Sequence, residues 1–198
     1  MLKASFILAN GPPMNRTVPI IENEFYHVYN RGNDGLTVFR CPWDYQVFLS
    51  KLFAYAGKYL IRLVVYTLMP NHYHLVLTEP TGGNLPRMMD ALGTSTAKRF
   101  NLKYGHKGHV FESRYRYEHI PSNESIAEVC RYVHLNPVRA RLVALPEEWD
   151  HSDFRDFLSE GRLQESKGVL HRAPLLNLFG SDPKGYVKFV REGVLYLH

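Results

Sequence analysis

Two histidines separated by one tyrosine, His72-Tyr73-His74, sit in the run Tyr66-Thr67-Leu68-Met69-Pro70-Asn71-His72-Tyr73-His74-Leu75-Val76-Leu77. The flanking residues read as strand, and successive strand side chains leave opposite faces. Both imidazoles then share one face, while Tyr73, Leu75 and Leu77 take the other. Two neutral imidazoles side by side make half of a divalent-metal site, which still needs a third ligand and something to act on. The polar face of an ordinary sheet would carry the same two histidines, and the tripeptide alone leaves both readings open.

A second chemical set lies in Arg131-Tyr132-Val133-His134-Leu135-Asn136-Pro137-Val138-Arg139-Ala140. Tyr132 and Asn136 share a helix face through their i, i+4 spacing, and Arg139 falls near that face if the helix continues. A phenol, a carboxamide and a guanidinium would then converge. Ile126, Val129, Val133 and Ala140 cover another face as core. Taken singly, Tyr132 also fits an amphipathic core tyrosine. Asn136 also fits a helix C-terminal residue, because Pro137 disfavours helical dihedrals at the position before it.

The elements that must position these groups follow from periodicity. Residues 1–20 read as an irregular arm rich in Gly, Pro and Asn. Phe25 to Asn30 is an aromatic, β-branched strand, broken by Arg31-Gly32-Asn33-Asp34-Gly35. Pro42-Trp43-Asp44 opens a helix with Tyr45, Phe48, Leu49, Leu52, Phe53 and Ala56 on its buried face and Gly57 as a stop. Ile61 to Leu68 is a strand. Met69-Pro70-Asn71 is too short for a crossover, so His72 to Thr78 returns antiparallel. Asn84 caps a second helix that carries Leu85, Met89, Leu92, Thr96 and Phe100 and ends at Gly105. Gly108 to Ile120 reads as a strand or hairpin, and Pro121-Ser122-Asn123 caps a third helix from Glu124 to about Asn136.

The order strand, helix, strand, strand, helix, strand, helix predicts an α+β, ferredoxin-like split βαβ fold: an antiparallel sheet with helices on one face. The main body spans 21–158, with 159–198 as a C-terminal helical extension.

With 198 residues, 45% of them hydrophobic, the chain can build a proper core. A net charge of +5 favours a polyanionic partner, and tyrosines interleaved with arginines suit stacking on unpaired bases. Arg31, Lys98, Arg99, Arg114, Arg116, Arg131 and Arg139 are the phosphate-binding candidates. Each could equally be solvated surface, and Tyr115 and Tyr117 are read as core. Cys41 and Cys130 imply no disulfide framework, so a reducing cytoplasm is expected. No apolar run is long enough to span a membrane.

The chain resembles the single-tyrosine HUH transposases, above all their REP-associated branch. The matching residues run in family order over roughly 23 to 155. They are Phe25-Tyr26-His27-Val28-Tyr29-Asn30-Arg31-Gly32, Asp44-Tyr45 with Phe48, Leu68-Met69-Pro70-Asn71-His72-Tyr73-His74-Leu75, then Gly105, Gly108, Val110-Phe111, Arg114-Tyr115 and Tyr132 to Ala140. Trp149-Asp150-His151-Ser152 departs from the family's Trp-Ser-Ser segment.

The resemblance implies His72 and His74 as metal ligands, Asn136 where relatives place a polar third ligand, Tyr132 as nucleophile, and Mg2+ or Mn2+ as the ion. It implies a transposase that cuts and rejoins single-stranded DNA beside hairpins through a 5′-phosphotyrosine. Some relatives form homodimers that exchange the tyrosine helix; others act alone. Two readings compete with it: a non-catalytic nucleic-acid hairpin-binding protein derived from a transposase, and a metal-dependent hydrolase that uses water.

Overall fold

The structure, a computed structural model, describes residues 19–158 and 168–197. The expected N-terminal arm falls almost wholly outside these residues, as does the start of the C-terminal extension. In chain order the elements are β1 (Phe25–Arg31), α1 (Pro42–Lys58), β2 (Arg62–Met69), β3 (His72–Thr78), α2 (Leu85–Tyr104), β4 (Arg116–Ile120), α3 (Asn123–Arg139), α4 (Ala173–Asn177) and α5 (Pro183–Val194). The four strands form one antiparallel sheet in the order β2-β3-β1-β4. This is the ferredoxin-like arrangement expected from the sequence.

Strands β2 and β3 are buried on both faces, and the two faces of the sheet have different roles. Tyr26, Val28, Leu68, Tyr73, Leu75 and Leu77 pack beneath α1 and α2, against Phe48, Leu52, Met88 and Leu92. Val65 and Val76 face the other way, into a second core with Ile126, Cys130 and Val133 of α3 and Tyr186 and Val190 of α5. Helices on one face therefore describes α1 and α2 only. Helix α3 covers the opposite face, because its apolar stripe and that of α5 need each other and the exposed side of β2 and β3.

Local signals account for most boundaries. Asn84 caps α2 by accepting the Arg87 amide at 3.0 Å, and Gly105 ends it with φ of 62°. Helix α1 includes Gly57, and Leu60 takes the left-handed conformation (φ 55°) instead. Helix α3 runs through Pro137 to Arg139, past the expected end at Asn136. Buried Leu135 and Val138 hold its last turn in the core, and the amides of Ala140, Arg141 and Leu142 satisfy the carbonyls of Asn136, Val138 and Pro137.

Strand β4 is shorter than expected and begins only at Arg116. The preceding stretch meets the end of β1 by isolated contacts: a Gly32–Phe111 bridge, the Glu112 amide to the Arg31 carbonyl at 3.0 Å, and the Asn30 side chain to the Ser113 carbonyl at 3.1 Å. A side chain thus replaces a ladder bond where pairing would otherwise continue. Gly32 is required at this junction, since a Cβ there would lie 2.1 Å from the Leu36 carbonyl oxygen.

The divergent Trp149–Ser152 segment pins the outer edge of β2. Trp149 Nε1 donates to the Leu68 carbonyl at 2.9 Å, the Leu68 amide donates to His151 at 2.8 Å, and Ser152 bridges Thr67. Both cysteines are free. Cys41 is the N-cap of α1, and Cys130 is buried in α3. Among the described residues no helix is long and apolar enough to cross a membrane.

Candidate active site

Strand register assembles the site. Tyr29 pairs with His74 and Arg31 with His72 across β1 and β3. His27 pairs with Glu118 and Tyr29 with Arg116 across β1 and β4. Alternation then puts His27, Tyr29, Arg31, His72, His74, Arg116 and Glu118 on one face of the sheet. Helix α3 lies over this face and brings Tyr132 onto it.

The two histidines stand as their spacing predicts, on one face with ring centroids 5.0 Å apart. The Tyr132 ring meets His74 edge-on at 5.7 Å and His27 at 6.0 Å. Asn136 Nδ2 donates to the Tyr132 carbonyl at 3.0 Å, and its carboxamide also interacts with the His72 ring and the Tyr132 phenol. The Arg139 guanidinium carbon sits 5.1 Å from the centre of the Tyr132 ring. The i, i+4 relation of Tyr132 and Asn136 therefore survives the proline.

The electrostatics suit metal ligation. Burial, with Arg31 adding to it, lowers the His72 imidazole to about 4, against a weaker opposing effect of Asn136. Burial holds His74 well below its ordinary range, helped by His27 and His72. Both rings are neutral at physiological pH, so each keeps a lone pair. His72 Nδ1 is hydrogen-bonded to Asn71 Oδ1 at 2.6 Å and His74 Nδ1 to His27 Nε2 at 2.9 Å, which leaves Nε2 on each ring as the nitrogen for a ligand. Burial raises the Tyr132 phenol above its ordinary value, while Asn136 and Arg139 pull the other way and Glu118 adds to the rise. Among the described residues no group of three or more His, Cys, Asp or Glu is set to hold a metal ion. What His72, His74 and Asn136 bring together is two imidazoles and one carboxamide.

The basic candidates divide by position. Arg31 and Arg116 lie on the site face, and Arg31 is 3.9 Å from Glu112. Arg139 stands at the site beside Tyr132 and is exposed. Arg114 is exposed on the irregular stretch before β4, so it does not alternate with Arg116 along one strand. Arg131 turns to α5, paired with Glu128 at 2.5 Å and stacked on Phe189 at 4.2 Å. Lys98 and Arg99 belong to α2, across the sheet from the histidines. Arg99 lies 3.8 Å from Asp44 and over Trp43. Tyr115 and Tyr117 pack against the α1/α2 core, Tyr117 edge-on to Tyr26 at 5.9 Å.

Sequence reasoning did not single out His27, Tyr29 and Glu118. Tyr29 donates to Glu118 at 3.0 Å, and burial together with Glu118 pushes its phenol up to about 12. The alternation of β1 already placed His27, Tyr29 and Arg31 on one face. Only the register against β3 shows that this face is the one with His72 and His74.

The fold thus sets paired imidazoles on one face of a ferredoxin-like sheet and lays the helix that carries Tyr132 across them. The family model "Transposase IS200 like" matches residues 23–136, and the chain belongs to that family of DNA-processing enzymes. Among solved structures, a REP-associated tyrosine transposase bound to a REP hairpin is similar with a TM-score of 0.63 at 17% identity, covering 76% of this chain and 87% of that one. A candidate transposase from Deinococcus radiodurans R1 matches with a TM-score of 0.43 at 19% identity, over 61% of this chain and 95% of that one. None of the curated proteins matches the sequence.

Proposed function

We propose that this chain is a metal-dependent single-stranded DNA transposase that cuts and rejoins DNA beside hairpins through a 5′-phosphotyrosine on Tyr132. The observation that carries the reading is the placement of the Tyr132 ring 5.7 Å from His74, on the face where both imidazoles are neutral. The solved relative that is bound to a REP hairpin supports a hairpin substrate.

His72, His74 and Asn136 would hold the ion, the two imidazole nitrogens anchoring it while the carboxamide oxygen, phosphate and water supply the oxygen donors that Mg2+ or Mn2+ takes. When bound, such an ion polarises the scissile phosphate and supplies the positive charge that a phenol in this site needs to ionise.

The chain's own residues do the rest. Arg139 lies close enough to favour the Tyr132 phenolate, against the burial that raises it. Arg31 and Arg116 flank the histidines and would grip neighbouring phosphates. The Tyr132 oxygen bonds to phosphorus as the bond to the 3′ oxygen breaks, and that oxygen takes up a proton. The phosphotyrosine remains an ester, so attack by another 3′-hydroxyl rejoins strands without a nucleotide cofactor. The Tyr132 ring packs edge-on against His74 of its own chain, which supports action in cis.

The test is incubation with single-stranded hairpins from the ends of its own element, read on a denaturing gel. Wild type should give a covalent protein–DNA adduct, and Tyr132→Phe should bind the DNA but give none. Cleavage without an adduct would point to a water nucleophile, and binding without cleavage to a hairpin-binding protein. EDTA should stop cleavage.

A further inference from the structure

His27 is almost wholly buried, at 1% exposure, in the middle of β1. Its Nε2 lies 2.9 Å from Nδ1 of His74, and the two rings stack at 5.0 Å with 19° between planes. Its other nitrogen, Nδ1, is buried without a hydrogen-bond partner. Two neutral imidazoles that meet nitrogen to nitrogen share one proton between those atoms. If His27 Nε2 carries it, the one ring proton of His74 sits on Nε2, and no lone pair is left there for an ion. If His74 Nδ1 carries it, His74 Nε2 is bare and can ligate. His72 is arranged the same way, with Nδ1 against the Asn71 side-chain oxygen at 2.6 Å.

Resting on the metal reading above, we infer that His27 is a positioning residue: its Nε2 accepts the Nδ1–H of His74 and thereby turns His74 Nε2 into a metal ligand. A carboxylate or carbonyl usually holds the second nitrogen of a metal-bound histidine. Here an imidazole inside the sheet takes that place. The arrangement accounts for a polar ring at a site where an apolar residue would pack. The proton of His27 is displaced to Nδ1, where nothing receives it.

The experiment measures Mn2+ binding to the metal-free protein by the electron paramagnetic resonance signal of free Mn2+. The proteins compared are wild type, His72→Ala, His27→Phe and His27→Gln. Phenylalanine keeps the bulk and removes the acceptor, whereas the glutamine side-chain oxygen can accept from His74 in place of Nε2. His27→Phe should weaken binding by about 10- to 100-fold, and His27→Gln should recover most of it. In Mg2+-saturated wild type, nitrogen-15 NMR should place the His74 ring proton on Nδ1. Wild-type affinity in His27→Phe, a His27→Gln as weak as His27→Phe, or a His74 proton on Nε2 would each overturn the inference. If neither variant folds, the wild-type NMR decides alone. Loss limited to His72→Ala leaves the metal reading standing and removes only the role of His27. A wild type that binds no Mn2+ overturns both.

Discussion

His134 and Asp153 meet inside the core, with Nε2 and Oδ1 3.0 Å apart and both side chains fully buried. His134 sits two residues beyond Tyr132 on α3. Asp153 also accepts the Tyr66 amide of β2 at 2.8 Å and Arg172 at 3.1 Å, and Tyr186 of α5 reaches His134 Nδ1 at 2.7 Å. The helix that carries Tyr132 is therefore tied to the sheet edge and to α5 by one buried polar network. Burial works to raise the Asp153 carboxyl, but His134, Arg172 and the Tyr66 amide hold it below its usual range.

Removing Asp153 leaves Arg172 and His134 buried without their shared partner. Asp153→Ala should lose about 3–5 kcal/mol of stability, measured by urea denaturation. Asp153→Asn, which keeps an acceptor for the Tyr66 amide, should lose less. Equal losses would show that charge at Asp153 is irrelevant to how α3 is held.

The basic residues on the site face should carry the DNA contact. Arg31→Ala and Arg116→Ala should each lower the magnitude of the slope of log K against log salt by about 1, read by fluorescence anisotropy with a single-stranded hairpin. Arg131→Ala should leave the slope unchanged, because Arg131 is committed to Glu128 and Phe189. A larger effect from Lys98 or Arg99 than from Arg31 would move the DNA to the α2 side of the sheet.

Buried neutral histidines make folding sensitive to mild acid. Burial lowers His27 from 6.5 to about 4 and holds His74 well below its ordinary range. The unfolded chain takes up protons below pH 6.5 that the folded chain refuses until near pH 4. Stability is therefore fully present above 6.5 and falls as pH drops through that window, by about 1.4 kcal/mol per pH unit for each histidine held neutral. Asp44, held to about 2 by Lys103 and Tyr104 against the effect of its own burial, keeps its charge throughout. Urea midpoints measured across this window should show the loss, and His27→Phe should flatten it.

The site draws Tyr132, His72, His74 and Asn136 from one chain, and the His134–Asp153 network holds α3 in place within it. A mixture of Tyr132→Phe with the double variant His72→Ala/His74→Ala should therefore fail to form the covalent adduct. Recovered adduct would show that a second copy supplies the tyrosine.

The sequence carried the chemistry and the elements. Alternation put His72 and His74 on one face of a strand, helical spacing joined Tyr132 to Asn136, and Asn84 and Gly105 marked the ends of α2. These are local properties, fixed by dihedral preferences and by periods of two and 3.6 residues. What local rules do not contain is register and layering. His27 became a neighbour of His74 only when β1 paired with β3, and α3 reached the histidine face only because its apolar stripe closed a second core with α5. Arg131 and Arg139 look alike as sequence, yet packing turned one to Phe189 and the other to Tyr132. Such contacts join residues far apart in the chain. They follow from which surfaces exclude water together, and only the folded molecule decides that.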